Sequence, residues 1–358
     1  NSPSRIPNQG EILNIRNLGT GLYFDSTYSS GDKVEIKNLL EKSPATGLRI
    51  HELDGKKEFK IKKDVNAAEP LMKSHIEGTE DVINTIKEFR NKYKISLPVR
   101  LHDFIDIKKR FEGNYFEMHL SYAEVREIGQ NIKILDSLIK KGNHISIHLP
   151  DYISNDDLID PFSEIQYVKS MSLDLIDICV KASKHIAKIS KNPCIILGSF
   201  SLRYGSKKDF YKNFKEFCNN IKIEHGVELY AQWLPKKAWY FGGSVILDQF
   251  CSKEDIKYIK DNDINLCLDF SHLILSANFY NENWYKWFEM LKDNIKHIHI
   301  ADAEGDDGEG VDFGKGNLKN HKEILELPSI KVLEVWEGHH NIGEKFYSAL
   351  KFLSNKVK

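Results

Sequence analysis

No apolar run in this 358-residue chain reaches the roughly 18 residues that a membrane-spanning helix needs, so no membrane partner is expected. The opening decapeptide, NSPSRIPNQG, has no apolar core of the kind a secretory signal carries. Neither sign of charge dominates: 51 Lys and Arg stand against 52 Asp and Glu, for a net charge of −1 and a pI near 7.0. A chain so balanced has no global field to draw it to nucleic acid or to an anionic surface. Cysteine is scarce. Cys179, Cys194, Cys218, Cys251 and Cys267 are dispersed, with no CxxC pair. An odd, scattered set excludes a disulfide framework and a zinc knuckle, and reads as reduced thiols in a cytoplasm. The chain begins at Asn1, which reads as a processed product or a piece of something longer.

What is present is an ordinary globular balance, with 29% charged and 41% hydrophobic residues, in a length that suits two or three domains. Residues 1–78 are turn-rich and short-stranded, a unit too small to bury much apolar surface. From residue 79 the pattern changes. Helical stretches (Glu80 to Tyr93, Val125 to Lys141, Pro161 to Ile189, Lys207 to Ile223, Lys253 to Lys260, Glu282 to Lys292, Glu344 to Leu353) alternate with strands. The strands are read at Pro98 to His102, Tyr115 to His119, His144 to Leu149, Cys194 to Leu197, Glu228 to Gln232, Asn265 to Asp269, Lys296 to Ile300 and Lys331 to Val335. About eight β/α alternations over about 270 residues are the rhythm of a parallel (β/α)8 barrel, which carries its chemistry at the C-terminal ends of its strands.

Polar residues gather at those ends: His102-Asp103, His119, His148, Gln232-Trp233, Asp269 with His272, His299 and Glu334 with Trp336. His297 and His299 share one face of their strand, because side chains two apart point the same way. An acidic, glycine-dense loop follows, from Asp302 to Gly316. Packing alone does not explain so many ionisable groups at one end of a barrel, since each uncompensated buried charge is costly. Asp269, His299 and Glu334 make the expected metal cluster, on donor types that suit Mn2+, Mg2+ or Zn2+ alike. His297 is expected one layer deeper, in the core. Trp233, Lys236 and Trp336 are expected around the mouth, where aromatic rings stack on sugar faces and a lysine meets a phosphate or carboxylate.

The segments LDFSH (Leu268 to His272), HIHIAD (His297 to Asp302), Glu309-Gly310 with Phe313 to Gly316, and Leu333-Glu334 resemble the xylose-isomerase-like superfamily of sugar isomerases, sugar epimerases and type IV AP endonucleases. In the epimerase branch the resemblance implies one divalent ion held by Glu, Asp, His and Glu from strands five to eight. By position these become Gln232, Asp269, His299 and Glu334. Gln232 can ligate through its carbonyl but cannot act as a base. The resemblance then leaves Glu334 as the catalytic base, with His272, Asp302 or another loop carboxylate as the second. A direct hydride shift and a barrel that binds without turnover stay open. The endonuclease branch fits less well, because the chain lacks that branch's shared fifth-strand glutamate and a basic face.

A second resemblance lies in the N-terminal piece. Gly21-Leu22-Tyr23-Phe24, Gly31-Asp32-Lys33, Asn38-Leu39, Pro44 to Leu48, Gly55 and Lys63-Asp64-Val65 are similar to the antifreeze-like (SAF) domain that ends sialic acid synthases. That domain offers a sugar-binding arginine from an Arg-Pro-Gly motif. Here the motif reads Ser43-Pro44-Ala45, with Arg49 nearby at a different position.

Taken together the expectation is a SAF domain over residues 1–78 and a xylose-isomerase-like TIM barrel over 79–358. Glu334 and His272 are the expected catalytic residues. Asp269, His299, Glu334 and Gln232 are expected to hold the divalent metal, and His119, His148, Gln232, Trp233, Lys236 and Trp336 to meet the sugar or sugar phosphate. The resemblance implies service to sialic-acid-like (nonulosonic acid) synthesis, as the C-terminal part of a synthase fusion. A non-catalytic sugar-binding module is the alternative, and a homodimer is left open.

Overall fold

The computed structural model describes residues 21–42, 48, 50–53, 56–72, 75–77, 80–200, 205–339 and 343–357. Ser43-Pro44-Ala45, Arg49 and Gly55 lie outside them. The chain divides into two compact units, one running to Glu88 and taking in His339–Glu344, the other formed by Phe89–Gly338 and Lys345–Lys358.

In the first unit β1 (Gly21–Tyr23), β2 (Lys33–Glu35), β3 (Leu40–Lys42) and β4 (Glu58–Lys60) form two antiparallel pairs, β1 with β3 and β2 with β4. Each strand is only three residues long. Leu22, Val34 and Phe59 from the strands join Phe24, Ile61, Val65, Leu71 and Ile76 from the segments between and after them in one small core.

The second unit is a closed barrel. Its strands are β5 (Ile95–Val99), β6 (Tyr115–His119), β7 (His144–His148), β8 (Ile195–Gly198) and β9 (Leu229–Gln232). After a hairpin of β10 (Lys237–Tyr240) and β11 (Gly243–Ile246) come β12 (Leu266–Asp269) and β13 (Ile295–Ile300). A second hairpin, β14 (Asp302–Glu304) with β15 (Gly308–Val311), precedes β16 (Ile330–Leu333), which closes the ring against β5. All eight barrel pairings are parallel. Helices cover the outside, so the strands are buried on both faces and read as near-continuous apolar runs. Local signals set the helix ends. Ser121 and Glu124 form a reciprocal capping box, Ser206 caps with its hydroxyl, and Gly226 ends its helix in the left-handed region.

Three expectations are corrected here. The first barrel strand runs from Ile95 to Val99, so His102 and Asp103 lie in the following turn, where Asp103 accepts the Arg100 N–H (2.7 Å). The helix expected over Val125 to Lys141 is two helices, Tyr122–Gln130 and Ile134–Leu138, because Asn131 leaves the helical region. The stretch read as an acidic, glycine-dense loop from Asp302 to Gly316 opens with the antiparallel hairpin of β14 and β15.

Candidate functional site

Four neighbouring strands, β9, β12, β13 and β16, deliver the site. Gln232 is the last residue of β9 and Asp269 the last of β12. His299 stands opposite Asp269 in the parallel register. Glu334 is the first residue past β16, and its N–H is held by the Ile300 carbonyl (3.2 Å). Asp269 does two jobs. Its Oδ1 caps the helix Phe270–Phe279 by accepting the His272 N–H (3.0 Å), which fixes the side chain and directs Oδ2 inward. That oxygen lies 3.8 Å from His299 Nδ1, which is 2.5 Å from Glu334 Oε2. The donor atoms of Asp269, His299 and Glu334 all lie within 4.8 Å of one another, so the three could hold a metal. The Gln232 amide completes the group. Its nitrogen faces Asp269 Oδ2 (3.0 Å) and His299 Nδ1 (3.2 Å), and its oxygen faces His148 Nε2 (2.9 Å).

The electrostatics are those of buried groups held by one another. Burial pushes the Asp269 carboxyl up, to about 6, against the pull of His272. Burial also pushes Glu334 up, but His299 outweighs it and holds that carboxyl well below its ordinary value. For His272 burial favours the neutral ring, yet Asp269 and Glu309 prevail and raise it to about 10. Its Nδ1 donates to the Trp233 carbonyl (2.9 Å) and its Nε2 meets Glu309 Oε1 (3.1 Å). Glu334 Oε2 is buried and close to His299, yet no donor reaches it at a hydrogen-bonding angle. A carboxylate oxygen in that position fits a cation as its partner, and the donor set of two carboxylates and an imidazole fits a divalent one.

Beneath this group lies Glu117, in the middle of β6 and wholly buried. It receives His119 Nε2 (2.9 Å), His297 Nε2 (2.8 Å) and the Ser146 hydroxyl (2.5 Å), and its Oε1 is 2.7 Å from His299 Nε2. Burial pushes this carboxyl up, but His299 and His297 hold it well below the ordinary value. The sequence reading passed over Glu117. The available signal was its place two residues before His119, hence on the same inward face.

Above the group opens a cavity of about 650 Å³ whose lining includes Arg100, His119, His148, Gln232, His272, Glu309, Glu334 and Trp336. A family model described as a xylose isomerase-like TIM barrel matches residues 132–355. The chain belongs to the xylose isomerase-like TIM barrel family. A curated relative, an uncharacterized protein of Methanocaldococcus jannaschii, is 26% identical over 169 residues, 45% of this chain. The chain spans only 59% of that relative's length. Among solved structures, the IolI protein with a bound zinc atom is 12% identical, with 74% of this chain and 98% of that one covered at a TM-score of 0.49. Endonuclease IV from Thermus thermophilus gives 12%, 72%, 99% and 0.44, and a sugar phosphate isomerase/epimerase from Parabacteroides distasonis 10%, 72%, 96% and 0.45.

Within this xylose isomerase-like barrel the expected substrate residues divide. His119, His148, Gln232 and Trp336 line the cavity. Trp233 does not. It follows inward-facing Gln232 on the strand, so its ring turns out of the barrel, is wholly buried and packs edge-on against Trp287 at 6.0 Å. Lys236 does not either, because its ammonium donates to the Leu247 carbonyl across its own hairpin and lies near Asp248. Asp302, read as a spare base, is consumed by the loop it begins, accepting the N–H groups of Ala303, Gly314, Gly316 and Leu318. Of the other acidic residues in that loop, Asp306 and Asp307 face Lys237, and Asp312 binds Lys315 and Lys345. Glu309 alone of the loop's carboxylates lines the cavity among the described residues. His297 lies a layer below the site, against Glu117.

Proposed function

We propose that this barrel is a divalent-metal-dependent isomerase or epimerase of a sugar or sugar phosphate, with Mn2+, Mg2+ or Zn2+ held by Asp269, His299, Glu334 and Gln232. The observation that carries the reading is the convergence of Asp269, His299 and Glu334 at three neighbouring strand ends, where Glu334 and the adjoining Gln232 line a cavity of about 650 Å³. Such an ion supplies Lewis-acid polarisation of a sugar carbonyl or hydroxyl. Gln232 suits a ligand role through its neighbour. His148 Nδ1 is 2.7 Å from the Leu149 carbonyl, which only accepts, so that nitrogen carries the ring proton. When the His148 Nε2 carries no proton, the Gln232 amide turns over from the orientation seen here to donate to it, and its carbonyl oxygen then faces Asp269 and His299. Glu334, open to the cavity, takes the substrate proton and in an isomerisation returns it to the neighbouring carbon, while an epimerisation needs the return from the opposite face, by His272. His272, whose Nδ1 is held by the Trp233 carbonyl, trades the Glu309 partner of its Nε2 for a substrate hydroxyl. Trp336 flanks the sugar at the rim.

The resemblance of residues 1–78 to an antifreeze-like domain supports the further assignment that residues 79–358 form the barrel and that the substrate belongs to sialic-acid-like sugar synthesis. Incubation with Mn2+ and a panel of sugars and sugar phosphates in D2O tests the reading, with carbon-bound deuterium in a recovered epimer or isomer as the expected result. If ions bind and sugars bind but no deuterium enters and no product forms, the barrel is a sugar-binding module. In that case Gln232→Glu, which restores a second carboxylate, is the variant in which turnover is sought.

A further inference from the structure

We propose that Glu117 is the positioning residue of the metal cluster: it holds the Nε2 edge of His299 so that Nδ1 is the atom presented to Asp269, Glu334 and Gln232. The inference rests on the function proposed above. Phe116 and Met118 on either side are buried in the outward packing layer, and Glu117 alternates with them into the barrel, on the face of His119. A lone carboxylate there is expensive unless every oxygen is satisfied. Both oxygens are. Oε2 takes Ser146 and His297, Oε1 takes His119, and Oε1 lies 2.7 Å from His299 Nε2 as an ion-pair contact outside hydrogen-bonding geometry. An ionised carboxylate 2.7 Å away favours the ring proton on the nitrogen it faces, and a neutral ring then keeps its lone pair on the other nitrogen. For His299 that other nitrogen is Nδ1, the atom 2.5 Å from Glu334 and 3.8 Å from Asp269. A ligating imidazole whose second nitrogen donates to a carboxylate is fixed in tautomer and ring orientation, and loss of such a partner costs 10–100-fold in metal affinity.

The same atoms offer a rival arrangement, a second ion among Glu117, His119 and His299, whose donor atoms also lie within 4.8 Å. Saturation argues against it. The Glu117 carboxylate already accepts from His119, His297 and Ser146, so an ion there has to displace a bonded donor, whereas Glu334 Oε2 has none to displace.

The test is Mn2+ titration of the full chain, followed by calorimetry and by the electron paramagnetic resonance of free Mn2+, for the wild type and for Glu117→Gln. The expected result is one ion per wild-type chain and an affinity 10–100-fold lower in the variant. Nitrogen-15 NMR of the Zn2+-loaded wild type supplies a readout that needs no variant to fold, with the proton of His299 expected on Nε2 and the metal on Nδ1. A metal on Nε2, an unchanged affinity in Glu117→Gln, or two ions in the wild type falling to one in the variant overturns the positioning role alone. A wild type that takes up no divalent ion overturns the function proposed above, and this role with it.

Discussion

Asp269 and His272 are tied at both ends of one helical turn: a carboxylate oxygen of the first accepts the backbone N–H of the second (3.0 Å), and its other oxygen lies 3.3 Å from the ring it thereby places. The strand end, the helix start and the site are set by one side chain. Structural and electrostatic roles can therefore be separated by substitution. In Asp269→Asn the cap survives, because an asparagine carbonyl caps about as well as a carboxylate. The inward charge does not survive. Thermal unfolding without metal is expected to change by less than about 1 kcal/mol, while divalent-ion affinity falls at least tenfold. Asp269→Ala loses both, including about 1 kcal/mol of cap. Equal ion affinities in wild type and Asp269→Asn would remove the carboxylate from the ligand set.

Gly310 is the hinge of contact between the β14–β15 hairpin and Trp336. Its φ is +62°, and a Cβ there would lie 1.9 Å from Trp336 Cδ1. The two backbones are also joined, Trp336 N–H to Gly310 O at 3.2 Å. Gly310→Ala must therefore strain the backbone by about 1–2 kcal/mol and push the indole aside. Trp336 is 62% exposed, so its ring can move outward and the fold survives. The expected phenotype is modest destabilisation in urea with weakened sugar binding and unchanged ion affinity, read by calorimetry. If sugar affinity is unaffected, Trp336 does not serve the mouth.

Much of this was legible from residue spacing. The α/β rhythm announced the barrel, and period-two alternation put His297 and His299 on one inward face. The same rule, applied to Gln232-Trp233, turns the tryptophan away from the cavity, and applied to Glu117 and His119 puts both carboxylate and imidazole inside. What the spacing does not carry is partner choice between distant segments. Lys236 was read as a free cation because its acceptor, the Leu247 carbonyl, lies across a hairpin whose register follows only from folding. Asp302 was read as a free base because its four N–H partners come from a loop that folds back on it.

Asp160 makes stability depend on pH. Its Oδ1 accepts the Phe162 N–H (2.9 Å), its Oδ2 is buried without a donor, and burial pushes the carboxyl up to about 6. A carboxyl whose folded value exceeds its unfolded value of about 3.9 favours folding while protonated. That contribution is fully present below about pH 4 and is lost as pH rises through 6. After allowance for partial solvation the loss is about 1–2 kcal/mol. Asp160→Asn keeps the Phe162 bond through its carbonyl and removes the titration. Urea unfolding at pH 4, 5, 6 and 7 should show the difference in stability between variant and wild type shifting in the variant's favour as pH rises. Parallel profiles would mean that Asp160 is solvated in the folded protein.

Arg90 holds the first turn of the barrel together with backbone partners alone. The side chain is wholly buried, and its guanidinium donates to the carbonyls of Ile95 (3.3 Å), Phe111 (3.3 Å), Tyr115 (2.8 Å) and Glu112. Those carbonyls belong to β5, to the end of the helix Phe104–Phe111 and to β6, so one planar fork with five N–H donors joins three elements. Burial lowers it to about 9, which leaves it charged at pH 7, and the Phe116 ring lies 5.1 Å from its centre. Arg90→Leu matches the apolar surroundings but strips several buried acceptors at once. Each such loss costs about 1–3 kcal/mol, so a total of about 3–5 kcal/mol is expected. Arg90→Lys keeps the charge but cannot span the fan of carbonyls, and should fall between the two. Guanidinium unfolding followed by far-UV circular dichroism measures the series. If Arg90→Leu unfolds at the wild-type midpoint, water replaces the guanidinium at these carbonyls and the arginine does not knit the barrel's start.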